Sequence, residues 1–375
     1  MTAPSPTSQL PPGGWPWRDD AAIAKVFEVL GGADGLTRIV GGPVRNALLG
    51  APVDDHDFAT VLLPDAVIAR AKAAHIKAVP TGIDHGTVTL IVGKRPFEVT
   101  TLRQDVATDG RYAIVSFSSD WTQDAKRRDF TMNALSVDCH GQLFDPAGGY
   151  RDVMARRVRF IGDPDARIRE DFLRILRFFR FSAWYSGLDA LDQNGLDHGG
   201  LAACARHVDG LSRLSAERVG QETLKLLAAP RPDTALAGMI ETGVAEAILG
   251  PLEPDALTRL DRLLSVEAVT DGPVEALVRL AVLLWPGVSR ADGLVDVASR
   301  LRLSNAERQR LVHMVAYMTT LSDGDERSAK ALLVAHGTAL HAAGVLAASA
   351  AGTADDGAWR ALLTLPERWV VPDFP

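Results

Sequence analysis

Asp55 and Asp57, in Asp54-Asp55-His56-Asp57-Phe58-Ala59-Thr60, are the first side chains here whose types and spacing suit chemistry. Side chains alternate along an extended backbone, so the two carboxylates are expected on one face. So placed they repel unless a cation lies between them. Hard oxygen donors at this spacing suit Mg²⁺, which keeps waters and phosphate oxygens as its other ligands; an acidic turn would read the same way. A further acid, Glu98, stands in Arg95-Pro96-Phe97-Glu98-Val99-Thr100-Thr101-Leu102-Arg103. Alternation puts Phe97, Val99 and Thr101 on one side and Glu98 and Thr100 on the other, so a neighbouring strand could set Glu98 beside the aspartates. Three carboxylates around two Mg²⁺ ions are the arrangement of in-line nucleotidyl transfer, one metal activating the attacking hydroxyl and the other stabilising the departing pyrophosphate. Finally, Val40-Gly41-Gly42-Pro43-Val44-Arg45-Asn46 reads as a strand passing through paired glycines into a helix. Glycines there let backbone N–H groups approach a phosphate, and Arg45 adds a guanidinium fork. A Gly-Gly turn before a helix is also an ordinary structural feature.

These residues need a scaffold that is part sheet. From about residue 36 to 145, short β-branched runs (Arg38-Ile39-Val40, Thr87 to Val92, Phe97 to Leu102) are separated by Gly, Pro and Asp turns. From about 150 onward, Leu/Ala/Arg segments of helical period take over. Leu214-Ser215-Ala216-Glu217 reads as a helix start, and Ser304 with Glu307 as a capping box. The expected fold class is α+β, a sheet-bearing head followed by an all-helical remainder. The expected divisions are a disordered Pro-rich lead over 1–20, a head over 21–150, a helical neck over 151–230 and a helical body and tail over 231–375.

Composition narrows the setting. With 375 residues, 47% hydrophobic and 23% charged, the chain suits a globular protein of several modules. Its two cysteines, Cys139 and Cys204, cannot build a disulfide framework and lack the spacing of a zinc site, so a reducing cytoplasm is expected. The first residues resemble neither a signal nor a transit peptide, and no apolar run is long enough to span a membrane. A net charge of −7 argues against indiscriminate nucleic-acid binding. Any RNA contact must use a local basic surface, for which the arginines between Arg151 and Arg180 are candidates; a solvated helical face is the alternative. His75, His85, His198, His207, His313 and His336 look scattered, and the tryptophans look like packing, though Trp184 or Trp369 could stack on RNA.

Taken in order, Gly41-Gly42-Pro43-Val44-Arg45, Asp55-His56-Asp57, Glu98 to Arg103, Arg127-Arg128-Asp129-Phe130-Thr131-Met132-Asn133-Ala134 and Glu170-Asp171-Phe172-Leu173-Arg174-Ile175-Leu176-Arg177 resemble the motif set of class II CCA-adding tRNA nucleotidyltransferases. That family also contains the bacterial poly(A) polymerases. The similarity covers about residues 36 to 225, including Leu214 to Arg218, which is similar to the family's neck motif. The resemblance implies a polymerase-beta-like head on a helical neck, body and tail, adding C and A from CTP and ATP to the 3′ end of tRNA with Mg²⁺. It implies that Gly42 and Arg45 hold the triphosphate, and that Asp55 and Asp57 bind the metal with Glu98 as third acid. Arg128 and Asp129 would address ribose and phosphates, supported by Asn133. Asp171, Arg174, Arg177 and Arg180 complete the implied nucleotide-binding set, and Arg103 to Trp121 resembles the family's flexible loop. One departure stands out: Asn46 occupies the place where the family usually has Asp. A poly(A) polymerase and a CC-adding or A-adding enzyme share these motifs. A silent RNA-binding relative would not need Asp55, Asp57 and Glu98.

On a helix, Asp171 and Arg174 would share a face, with Arg177 extending the row. Cytosine and adenine both present an amino donor beside a ring-nitrogen acceptor. A carboxylate can accept from the first and a guanidinium donate to the second, whereas uracil and guanine reverse both roles. Such a pair could select C and A without a template; otherwise it is an exposed ion pair of little worth.

Overall fold

The computed structural model describes residues 11, 14–109, 112–186, 195–268, 274–289, 291–321, 323–352 and 356–369. The chain forms two compact units, Met1–Asp171 with Tyr185–Gly200 and Phe172–Trp184 with Leu201–Pro375. The first unit therefore runs past the head boundary expected at 150.

The first unit carries β1 (Thr37–Val40), β2 (Phe58–Thr60), β3 (Lys77–Gly82), β4 (Thr87–Val92), β5 (Arg95–Thr101), β6 (Arg103–Asp109), β7 (Tyr112–Phe117), β8 (Ser136–Val137) and β9 (Leu143–Phe144). Among the described residues, seven of these form one sheet in the order β3-β4-β5-β2-β1-β8-β9, and β6 pairs with β7 alone. β2 runs parallel to β5, with Phe58 opposite Val99 and Ala59 opposite Thr100. Helix Pro64–Ala73 and β3 and β4 fill the long crossover that a parallel pair requires. Alternation sorts the two faces. Ile39, Phe58, Phe97 and Val99 are buried, and the Phe58 ring lies 5.3 Å from that of Phe27, on helix Ala21–Val29, and 6.0 Å from that of Phe97. Val40, Ala59 and Leu102 form a separate cluster with Val61 and Trp121. Glu98 is exposed between buried neighbours, as the alternation requires.

One expectation is corrected. The lead is not disordered throughout: Trp15 and Trp17 are buried, their rings stack at 5.1 Å, and the Trp15 indole N–H donates to the Gly141 carbonyl at 2.8 Å. An indole buries a large apolar area while needing one hydrogen bond, and both conditions are met. Residues 1–10, 12 and 13 lie outside the described residues. In the stretch that resembles the family's flexible loop, β6 and β7 pair from Arg103–Phe117 to Asp109–Tyr112; Gly110 and Arg111 lie outside the described residues.

Every named strand precedes residue 145, and the second unit is helical. Helix Asn305–Thr320 begins with the expected Ser304–Glu307 capping box. Helix Ala216–Leu227 starts after Ser215, though that side chain makes no capping bond. Tyr317, Leu333, Val345, Trp359 and Leu365 centre an apolar cluster onto which Trp369 packs, so Trp369 is a packing residue. The histidines here are less scattered than expected. His313 and His336 lie ring to ring at 4.6 Å, and buried His341 bonds the Tyr317 hydroxyl at 3.0 Å and the Leu362 carbonyl at 2.8 Å. No helix among the described residues is long and apolar enough to cross a membrane.

A buried guanidinium ties several helices of the second unit together. Arg279, on helix Ala276–Leu284, is 2% exposed. It pairs with Glu267 at 2.6 Å and donates to the carbonyls of Leu227 and Ala229 at 2.7 and 2.5 Å, just where helix Ala216–Leu227 runs out of internal donors. Removing it takes from the Glu267 carboxylate and two carbonyls the donor they share in low dielectric. We expect Arg279→Leu to lower unfolding free energy in urea by about 3–5 kcal/mol, and Arg279→Leu with Glu267→Leu to recover part of that loss. A loss below about 1 kcal/mol would show the clamp to be dispensable.

Candidate active site

Two of the expected carboxylates, Asp55 and Asp57, stand just before β2, and the third, Glu98, lies on β5. Asp55 and Asp57 lie in the irregular approach to Phe58 and not in the strand itself, but the Val40 N–H donates to the Asp57 carbonyl at 2.9 Å, so the backbone at Asp57 already follows β1. Carrying the β2–β5 register back one residue from Phe58–Val99 sets Asp57 opposite Glu98. The electrostatics agree. Burial, the Glu98 charge and the Asp55 charge all push the Asp57 carboxyl above its usual range, and the Arg128 cation opposes them. The side chain itself touches solvent; the neighbouring protein mass withdraws enough water for the repulsion to be felt.

Arg128 is held from two sides. Its guanidinium pairs with Asp124 at 3.2 Å and donates to the Asn133 carbonyl at 3.2 Å. Asp124 is buried and also pairs with Arg127 at 2.7 Å. Burial alone would raise its carboxyl, but the Arg128 and Arg127 cations outweigh that and hold it below the usual range. The spacing is helical: Asp124 lies on helix Trp121–Lys126, three residues before Arg127 and four before Arg128.

A second chain of bonds fixes Arg45, on helix Gly42–Leu48. Its guanidinium donates to the Asn133 side-chain oxygen at 2.6 Å, to the Asn46 side-chain oxygen at 2.9 Å and to the Tyr185 hydroxyl at 2.7 Å, and it lies 4.0 Å from the Tyr185 ring centroid. The Asn133 amide then donates to Asp129 at 3.0 Å. Asn46 thus accepts from Arg45 as an aspartate would, without adding a negative charge. Two glycines make these approaches possible. Gly41 has φ of 73° and a Cβ there would sit 3.0 Å from the Arg128 guanidinium, whereas Gly42 meets only ordinary contact. A Cβ on Gly149 would lie 2.0 Å from the Thr131 carbonyl, so that glycine lets its helix press against the turn carrying Asn133.

The nucleobase motif departs from expectation. Asp171 is not on a helix with Arg174: helix Pro164–Glu170 ends before it and Asp171 is extended, with φ −155° and ψ 109°. The next helix, Leu173–Tyr185, carries Arg174, Arg177 and Arg180 at three-residue spacing, each half-buried. Asp171 belongs to the first compact unit and these arginines to the second. Arg180 pairs with Glu222 at 2.5 Å, and Arg177 lies 5.2 Å from the Phe181 ring.

Sequence family comparisons agree with this layout. The family described as Poly A polymerase head domain matches residues 37–159. One described as probable RNA and SrmB-binding site of polymerase A matches residues 200–255. The CCA-adding enzyme of Streptococcus gordonii is 36% identical over 291 residues, which are 76% of this chain and 68% of that one. The chain belongs to the family of CCA-adding enzymes and poly(A) polymerases. Mitochondrial CCA tRNA nucleotidyltransferase 1 of Mus musculus is 37% identical over 274 residues, covering 72% of this chain and 60% of the relative. The chain therefore spans about three-fifths of that relative's length. Among solved structures, the Bacillus stearothermophilus CCA-adding enzyme in complex with CTP aligns with a TM-score of 0.72 and 27% identity, covering 91% of this chain and 80% of that one. A Thermotoga maritima CCA-adding enzyme complexed with tRNA aligns with a TM-score of 0.70 at 22% identity, a likeness of fold, over 93% of this chain and 84% of that one.

Three positioning residues of this family member were missed from sequence: Asp124, Asp152 and Tyr185. Asp152 is fully buried, pairs with Arg157 and Arg159 at 3.0 and 2.8 Å, and accepts from the Thr131 hydroxyl at 2.5 Å. Helical spacing could have revealed Asp124; Asp152 and Tyr185 have no local signal. The same bonds shrink the expected basic surface. Arg157, Arg159, Arg167 and Arg180 are all engaged internally, while Arg151, Arg156 and Arg169 are exposed.

Among the described residues no three acidic, histidine or cysteine side chains converge into a complete metal cage. The mutually repelling carboxylates of Asp57, Asp55 and Glu98 still fit Mg²⁺, which is commonly held by one or two carboxylates with water and phosphate completing its shell. Because ionised Asp57 is disfavoured, we expect Asp57→Asn to raise the thermal midpoint in chelator at neutral pH. The gain should shrink as pH falls through the carboxylate range, where wild-type Asp57 takes up its proton and the repulsion ends. A lower midpoint for Asp57→Asn at neutral pH would contradict the repulsion.

Proposed function

We propose that the chain adds C and A nucleotides from CTP and ATP to the 3′ end of tRNA, without a nucleic-acid template, as CCA addition or repair. The observation that supports this reading is the parallel β2–β5 register, which carried back one residue brings Asp57 opposite Glu98, together with the Arg128 charge that opposes the acidic charges at Asp57. The hydroxyl at the RNA 3′ end attacks the α-phosphorus, a new P–O bond forms in line, and pyrophosphate leaves. Asp55, Asp57 and Glu98 would hold Mg²⁺, which when bound lowers the pKa of the attacking hydroxyl and neutralises the leaving pyrophosphate. Arg45, fixed through Asn133 and Tyr185, and Gly42 address the triphosphate. Arg128 and Asp129 address the nucleotide's phosphates and ribose, with Asn133 joining their networks.

Base choice we assign to Asp171 and Arg174, with Arg177 and Arg180 on the same helix as Arg174. The break in helix at Asp171 removes the shared-face argument, but the donor and acceptor logic does not need it: a carboxylate accepts the amino group of C or A, and a guanidinium donates to the ring nitrogen. The hairpin from Arg103 answers to the family's flexible loop, and the exposed arginines supply the limited RNA-facing charge. The free cysteines Cys139 and Cys204 fit a reducing compartment, and we infer the cytoplasm. An A-only activity is the alternative, since both matched families carry poly(A) polymerase descriptions.

Single-nucleotide incorporation into truncated tRNA tests both halves. Asp55→Ala or Asp57→Ala should lower the rate by about 10³-fold or more, the scale on which lost transition-state electrostatics is felt, and Glu98→Gln should follow. Arg174→Ala should reduce efficiency with CTP and ATP and narrow discrimination against UTP and GTP, while Asp171→Asn should favour UTP relative to CTP. Near-normal rates in a folded Asp57→Ala variant, or an unchanged ranking of the four nucleotides in both base-site variants, would contradict the respective assignment.

A further inference from the structure

The first unit contains a cavity of about 860 Å³ whose wall includes Arg38, Trp121, Phe144 and Lys126, which the assignments above do not use, together with Arg128, which they do. Arg38 is on β1, in register with Ala59 of β2. Its guanidinium carbon lies 3.5 Å from the Phe144 ring centroid and 4.2 Å from that of Trp121, so the planar cation is stacked between two aromatic faces. Stacking orients a guanidinium but leaves its donors in plane unsatisfied. Among the described residues the buried Arg38 Nε has no hydrogen-bond partner. Burial pushes this cation down to about 10, the nearby Asp138 opposing that effect, and Asp138 itself accepts from the backbone of His140 and Gln142.

The carboxylates of the wall are already engaged. Asp120 caps helix Trp121–Lys126, Asp124 pairs with Arg127 and Arg128, and Asp145 accepts from the N–H groups of Gly149 and Tyr150 at 2.7 and 3.0 Å. What the cavity offers is an oriented guanidinium, an ammonium at Lys126 and two aromatic rings. A half-buried guanidinium set over two aromatic rings, with its Nε unpartnered among the described residues, suits the tetrahedral oxygens of a phosphate. The volume falls in the range of small-molecule sites. Arg128 belongs to this wall and its charge also opposes those at Asp57, so the cavity and the carboxylates share one cation.

We propose that this cavity receives a phosphate group of a substrate, with Arg38 as the residue that orients it. The inference rests on the nucleotidyl-transfer reading, in which two phosphate-bearing substrates meet at Asp57. The phosphate comes either from the RNA strand behind its 3′ end or from the nucleotide's own chain; binding measurements separate the two. Arg38→Met keeps an apolar stem between the rings and removes every donor, and Arg38→Lys keeps the charge without the fork.

Affinities for ATP with Mg²⁺ and for tRNA lacking its last three nucleotides should be measured for wild type and both variants, with unfolding midpoints alongside. Arg38→Met should weaken one substrate by about tenfold, and Arg38→Lys should weaken the same substrate less. If the affected ligand is tRNA, the slope of log affinity against log salt should also flatten by about one, locating the phosphate in the RNA. If it is ATP, the phosphate is the nucleotide's. Unchanged affinity for both ligands, within about twofold, would overturn the proposal. So would equal weakening of both by either variant together with a lowered midpoint, which is what loss of a packing group does. Wild-type protein that incorporates no nucleotide into tRNA would instead fail the underlying assignment and take this proposal with it.

Discussion

The repulsion between Asp57 and its acidic neighbours is the constraint around which the first unit is organised. Glu98 and Asp55 both disfavour the Asp57 charge, and Arg128 opposes them. An arginine serving that purpose cannot be left to swing in solvent, and here Asp124 and the Asn133 carbonyl hold it. Asn133 also joins Arg45 to Asp129, so the groups assigned to triphosphate and ribose share a residue with the group that tempers the carboxylates. Disturbing any one bond changes the field at the others, because in a partly desolvated site charges are weakly screened.

The sheet exists, in this light, to set a distance between two strands that are far apart in sequence. Phe58 and Val99 pack inward beside each other, and the residues just before them, Asp57 and Glu98, are set beside each other by the same register. A slip of one residue in that pairing would exchange the faces and bury an acid. Phe27, Phe58 and Phe97 guard against the slip by edge-to-face packing on the apolar side. The second unit relies on the same device in another form, a cation buried among acceptors: Arg279 with Glu267 and two carbonyls, and Arg180 with Glu222. Several arginines that look like an RNA-binding surface in the sequence are therefore structural, which suits a chain of net charge −7.

Much of this was legible before the fold was known, where the signal is local. Alternation placed Glu98 opposite Phe97 and Val99, the Ser304–Glu307 box marked a helix start, and the motif order pointed to the family. What stayed hidden depends on distant partners. Asp152 reaches Thr131 across 21 residues and Arg45 reaches Tyr185 across 140, and neither pairing leaves a periodic trace. Trp15 and Trp17 sit in a stretch rich in Pro and Gly, whose composition outweighs two indoles in any local reading although their burial decides its structure. Helical periodicity also ran unbroken through Glu170 to Arg177, so the extended residue at Asp171 could not be read from it. Asn46 was visible as a departure; that it still accepts from Arg45 required the structure.

The central claim is that one protein site, with no nucleic-acid template, builds a defined sequence on an RNA end. Its most direct test is to incubate wild-type protein with Mg²⁺, CTP and ATP and tRNA transcripts ending at each successive position before the CCA end, and to sequence the 3′ ends. The account requires that every truncated transcript be completed to CCA and that the complete one not be extended. Runs of adenosine on all transcripts, or no extension of any, would contradict it.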